Sequence, residues 1–516
     1  MDHSHQHHHG RDPAAASFPI DPAGLPEATR PAVIEPGDGD VIALAVGPVA
    51  KRLGDTTVRM LAYDGSVPGP TLVVRQGTEL VVDVTNRGDL ETTVHWHGLR
   101  LDNSSDGVPH DTQAPIAVGG SHRYRLRFPD PGLYWYHPHI REDYTQELGL
   151  YGTILVRPAD ADYWPGADRD VVLTLDDLLI EDGRIAPFSP TETTHAAMGR
   201  FGNVFLTNGE QAPSSLTAAA GEVMRFWLVD TANTRVFNVR IPGARLKLVG
   251  GDSGRLEHDE FVDEVLIAPS ERAVVDVLFP EPGEYALEHR TPVGTHRLAT
   301  VTVSAAVPAE RPGPAAAGFE TLGGAPDLPA ERAGLDAWLA AEPHEVLSMV
   351  AEMRMDHDMD HGDMDHGDMH HDHGHHGMSH GDATAGGIEW EDEMAEMNRI
   401  STPATMRWSF IDPATGGAPD WRFTVGDRVK IRLVNGLESD HPMHHPFHLH
   451  GAGRFLVLAR DGVTEPNLVW KDTVLLRTGQ TVDILFDVTN PGRWMAHCHI
   501  AEHMESGMMF GFTVDA

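Results

Sequence analysis

Three stretches of this chain carry the same rhythm of apolar and polar positions. ELVVDVTN at 79–86, VMRFWLVD at 223–230 and RVKIRLVN at 428–435 each follow a short strand-like run and a Gly turn. Each leads to a matching end: FPDPGLYWYHPH, FPEPGEYALEHR and FDVTNPGRWMAHCH, where Pro and Gly precede an aromatic residue and a further strand. Side chains of a strand alternate between faces, so a two-residue period marks half-buried strands. Short strands punctuated by Gly and Pro predict an all-β sandwich. Three copies predict three related sandwiches, near 40–158, 168–305 and 400–516.

The pattern breaks between the second and third copies. Residues 308–330 are rich in Pro, Ala and Gly and read as linker. Residues 331–355 read as helical with an interruption at Pro343, and 388–400 reads as a further short helix. Residues 306–399 are therefore expected to form a linker, helices and an insertion. Residues 1–39 are expected to form a His-rich tail.

Composition narrows the partners. The chain has 516 residues, a 41% hydrophobic content and a formal net charge of −38. Such a charge repels phosphates, which argues against nucleic acid, and attracts cations. The 33 His and 19 Met are both types that bind copper. The one cysteine, Cys498, excludes an internal disulfide and any Cys-cluster metal site. No apolar run reaches 18 residues, so no transmembrane helix is predicted. MDHSHQHHHGRDPAAA lacks the apolar core of a signal peptide.

Four motifs carry the chemistry: HWHG (95–98), YHPH (136–139), HHPFHLHG (444–451) and HCHIAEHMESGM (497–508). Each contains His-x-His, and on a strand both imidazoles of such a pair face one way. One pair is commonplace on a polar face. Four pairs, in matching places of the first and last copies, predict a cluster of eight imidazoles. Cys498 points away from its two His neighbours, toward a second site. A Cys, two His and a weak axial Met form the blue-copper electron-transfer set. His503 lies five and Met508 ten residues beyond Cys498, and His445 stands in the third motif three residues before His448. One copper accepts electrons singly, whereas a cluster holds O2 and delivers four together. The backbone bonds from Cys498 to His497 and His499 give a short electron path between them.

These motifs resemble those of the multicopper oxidases, which include laccases and bacterial copper efflux oxidases, over nearly the whole chain. The resemblance implies three cupredoxin-like Greek-key β-sandwich domains and four coppers per chain. It implies a type 1 copper on His445, Cys498, His503 and Met508. It places type 2 copper on His95 and His448, and a type 3 pair on His97, His137, His139, His450, His497 and His499. In the second copy Glu288 and Arg290 stand where the others have His, so the cluster is expected between the first and third domains. Glu502 and Asp106 lie where the family has proton donors to O2. The substrates implied are O2 with Cu(I), phenols or aromatic amines, and the location is periplasmic or extracellular.

The copper efflux oxidases are the nearer resemblance, because Asp440 and Met443 precede His445 and a Met-rich insertion precedes the last domain. Residues 355–382, MDHDMDHGDMDHGDMHHDHGHHGMSHGD, offer Met355, Met359, Met364 and Met369 as further candidate Cu(I) ligands. Thioethers suit Cu(I), while carboxylates and imidazoles suit Cu(II). A five-residue Met spacing fits neither helix nor strand, so a flexible copper-loading segment holding labile copper is expected. Three alternatives are weighed: a laccase in which this segment is only a tether, a copper nitrite reductase, and a copper-sequestering protein. The six type 3 His argue against the second, and the full ligand set argues against the third.

Overall fold

A computed structural model describes residues 17–305, 314–354 and 382–516. The His cluster at 3–9 and the candidate ligands Met355, Met359, Met364 and Met369 lie outside the described residues.

Strands dominate, and they form three two-sheet units. The first pairs a four-stranded sheet (Thr56–Tyr63, Val41–Leu53, Glu79–Asn86, Ser121–Arg127) with a five-stranded one. The second and third units repeat this with a seven- and a six-stranded sheet, each again opposite a five-stranded one. The five-stranded sheets are built alike. In each, the strand ending the repeat pairs antiparallel with the strand holding the first ligand positions: Gly132–His137 with His95–His97, Gly283–Arg290 with Phe237–Arg240, and Gly492–Cys498 with His445–Leu449. The register sets His95 opposite His137 and His448 opposite His497. In the second unit the same ladder sets Val239 opposite His289.

Two expectations need correction. Residues 345–353 are not helical. Leu328–Ala340 is a helix, but Glu345–Met353 is a strand that pairs with Met406–Ile411 and Arg428–Val434. EVLSMVAEM is compatible with both periods, and its buried positions alternate at Leu347, Met349 and Ala351. An open place in the sheet of the third sandwich decides for strand, a tertiary effect that local pattern does not contain. The third sandwich thus begins well before residue 400. The tail also joins the fold: Val33–Ile34 pairs with Thr71–Leu72, and Phe18 stacks on Tyr144 at 3.9 Å. Ala395–Ile400 forms the short helix expected in 388–400.

The apolar residues of the first and third sandwiches merge into one continuous core, while most of the second keeps its own. This merger packs the four His motifs against one another.

Candidate metal centres

Eight imidazoles meet between the first and third sandwiches, all at most 5% exposed. His97, His137 and His499 form one triad, with ring centroids 5.7, 5.0 and 5.1 Å apart. His139, His450 and His497 form a second, at 4.9, 5.1 and 5.2 Å. Each triad draws on three of the four motifs. His95 and His448, 5.8 Å apart, each touch both triads.

Only HWH lies wholly within a strand. The pairs at 137–139, 448–450 and 497–499 straddle strand ends, so strict alternation does not set their directions. At 138 the residue is Pro, which cannot donate to a ladder and ends the strand there. Gly98 is required after His97. Its φ is +83°, and a Cβ would come within 2.6 Å of Asp472 and 2.7 Å of Arg272.

The hydrogen bonds show which nitrogens are left for a ligand. His95 Nδ1 meets the Asp106 carbonyl at 2.7 Å, and His450 Nδ1 meets the Asp106 carboxylate at 2.8 Å. His139 Nδ1 meets Glu142 at 2.7 Å. His97 is turned round: its Nε2 meets Asp472 at 3.0 Å. The opposite atoms are buried without partners: Nε2 of His95, His137, His139 and His448, and Nδ1 of His97. Unpaired buried polar atoms are rare in proteins, and here several ring atoms converge within 4.8 Å in overlapping groups of three. Carboxylate or carbonyl on one nitrogen and an open second nitrogen is the arrangement of a metal-binding imidazole. Burial holds His97, His137, His448, His450 and His499 well below the usual histidine range, and His139 and His497 at about 3. They are neutral donors at physiological pH, as metal ligation needs.

The second site lies on the other side of Cys498. Its Sγ is 3.5 Å from His445 Nδ1 and 3.9 Å from His503 Nδ1, and those two nitrogens are 3.3 Å apart. All three residues and Met508 are buried. The Met508 backbone is tied to the site: its carbonyl accepts from Cys498 N at 3.1 Å, and its N–H donates to the His503 carbonyl at 3.0 Å. Trp408 stacks on His503 with centroids 4.1 Å apart. Burial pushes the Cys498 thiol up, so a bare thiolate is unfavourable there and a cation is needed to hold one.

Three family models, each described as multicopper oxidase, match residues 48–161, 161–309 and 391–516. The chain belongs to the multicopper oxidase family.

Copper is therefore its metal, and the open nitrogens and the Cys–His–His group suit it. This multicopper oxidase is 26% identical to a copper resistance protein A homolog of Pseudomonas syringae pv. tomato over 96% of both chains. It is also 26% identical to the multicopper oxidase MmcO of Mycobacterium tuberculosis, over 92% of this chain and 87% of that protein. Among solved structures, a multi-copper oxidase of Pseudomonas thermotolerans is similar at a TM-score of 0.66 and 27% identity, covering 94% of this chain and 100% of that one.

Glu502 and Asp106 differ in setting. Asp106 is 1% exposed and bonds His450 directly. Glu502 accepts from Asn233 at 3.3 Å and Thr234 at 3.2 Å, both from the second sandwich. Burial, with Asp143 adding to it, raises Glu502 to about 7. The second sandwich also supplies Arg272, which pairs with Asp472. Asp472 and Glu142 were not among the residues singled out by the sequence. Glu142 lies three positions after His139, a spacing that was available, whereas Asp472 meets His97 from 375 residues away.

Asp440 and Met443, which the resemblance offers as Cu(I) ligands, differ in exposure. Met443 is fully buried in the shared core, and its carbonyl accepts from Asn435 at 2.7 Å. Asp440 is exposed and accepts from Met353 N at 2.9 Å.

Proposed function

We propose that this multicopper oxidase uses Cu(I) as electron donor, beside phenols and aromatic amines, and serves copper tolerance outside the cytoplasm. No described helix is long and apolar enough to cross a membrane. In this reading His445, Cys498, His503 and Met508 hold type 1 copper, His95 and His448 type 2, and the two triads the type 3 pair. Bound copper would supply single-electron transfer at Cys498 and four-electron reduction of O2 at the eight imidazoles. The balance is four Cu(I), one O2 and four protons giving four Cu(II) and two waters.

The protein's own part is orientation and proton supply. Asp106 and Asp472 fix the rings of His450 and His97 by hydrogen bonds to one nitrogen each, and the Glu142 carboxylate lies 2.7 Å from His139 Nδ1. Buried Glu502, raised to about 7, keeps a proton near neutral pH and passes it toward O2.

One observation carries the Cu(I) reading. The chain on both sides of 355–381 is fastened to the residues just before His445. On the near side Ala351 N donates to Ser439 at 2.7 Å and Met353 N to Asp440 at 2.9 Å. On the far side the Glu389 carboxylate accepts from His444 N at 2.8 Å and contacts its Nδ1 at 2.5 Å. The described chain on either side of a Met-, His- and Asp-rich sequence is thus fastened beside the type 1 ligands.

The test is oxygen consumption with Cu(I) and with a phenol, in the full chain and in one lacking 355–382. Loss of the segment is expected to lower Cu(I) oxidation and leave small phenols equal or faster. Equal rates on both donors would favour the laccase with a tether.

A further inference from the structure

Beside the type 1 ligands lies a largely buried soft donor pair that neither copper centre uses, with Met198 3% and His441 9% exposed. His441 Nε2 lies 3.0 Å from Met198 Sδ. The two residues are 243 positions apart, one from the third sandwich and one from a loop of the second. The separation resembles the 3.3 to 3.9 Å among His445, Cys498 and His503. At this separation an imidazole nitrogen and a thioether sulfur can stand as adjacent ligands of one ion.

Met198 is placed, not merely packed. Its N–H donates to the Asn398 side chain at 2.9 Å, Asn398 Nδ2 donates to the Gly199 carbonyl at 2.8 Å, and Ala197 N donates to Ser401 at 2.9 Å. Trp408 donates to the Ala196 carbonyl at 2.7 Å. This loop is clamped over the type 1 site. His441 is 9% exposed, against at most 1% for His445 and His503. It is the more outward of these imidazoles, and it follows exposed Asp440. The Trp408 ring lies 6.1 Å from His441 and 4.9 Å from His445, so one indole spans from the pair to a type 1 ligand.

We propose that His441 and Met198 form the landing site for a soft monovalent cation, Cu(I), at the type 1 centre. The inference rests on the Cu(I) reading above and names its subsite. A thioether with an imidazole favours Cu(I) over harder ions. On losing one electron toward His445, the ion becomes Cu(II), prefers oxygen and further nitrogen donors, and leaves by way of Asp440.

Two measurements on the copper-loaded full chain test this. Crystals soaked in Ag(I), a redox-inert stand-in for Cu(I), are expected to show an anomalous peak bonded to both His441 Nε2 and Met198 Sδ. Met198→Leu keeps the volume and removes the thioether donor. It is expected to raise the ratio of the Cu(I) KM to the phenol KM about tenfold or more, since even indirect partners of a metal ligand cost ~10-fold. His441→Gln should do the same if Met198→Leu fails to fold. A missing Ag(I) peak together with an unchanged KM ratio overturns the site, while Cu(I) oxidation by the parent chain persists. Absence of Cu(I) oxidation in the parent chain overturns the wider reading and this site with it.

Discussion

Arg272 of the second sandwich donates to Asp472 of the third, and Asp472 in turn meets the His97 imidazole of the first at 3.0 Å. One ion pair joins all three units at the metal cluster, with the guanidinium fully buried. Arg272 also donates to the Leu133 and Ser270 carbonyls, so its donors are satisfied on every side. The second sandwich provides no imidazole to the cluster, yet it fixes one.

Arg272→Met should leave Asp472 as a buried, uncompensated charge, at a cost of about 3–5 kcal/mol. The expected readouts are a lower Tm and less copper retained on dialysis. A variant with parental Tm and copper content would show that the pair is not needed.

Cys498→Ser should remove the blue absorption and donor oxidation while the eight imidazoles keep their copper. Burial disfavours a free thiolate, so copper uptake by the parent chain should release a proton from Cys498. Proton release measured in weak buffer should fall by about one per chain in the variant.

Glu502→Gln should keep the blue absorption and slow O2 reduction by about 10²-fold. With Glu502 raised to about 7, its protonated share declines as pH rises through neutrality. The parent rate should fall over that range, and the Gln variant should lack that limb. Unchanged turnover would remove Glu502 from proton supply.

Glu147 is fully buried, and both its carboxylate oxygens lack hydrogen-bond partners. Burial holds it well above the usual carboxylate range despite opposition from Arg200, with Asp177 adding to the rise. A carboxyl raised by folding contributes stability below its unfolded value of about 4.3, and this is lost as pH climbs toward the folded value. Glu147→Gln should therefore gain in Tm relative to the parent between acidic and neutral pH. A Tm difference that does not change with pH would contradict the buried, protonated carboxyl.

Much of this protein could be read in its residues. The two-residue period and the Gly and Pro punctuation determined three sandwiches, because strand faces follow from local alternation. The His-x-His motifs and the isolated Cys498 marked two kinds of metal site, because few residue sets other than copper ligands combine these types. Other features were decided only in three dimensions. Glu345–Met353 is a strand because the third sheet has a place for it, while its local pattern fits a helix as well. Met443 and Met198 both join the shared core, and Met198, distant in sequence, meets His441. Asp472 reaches His97 across two sandwiches. Spacing along the chain encodes the direction of neighbouring side chains. Which distant carboxylate orients a ring, and which thioether stands beside it, depends on how the sandwiches pack together.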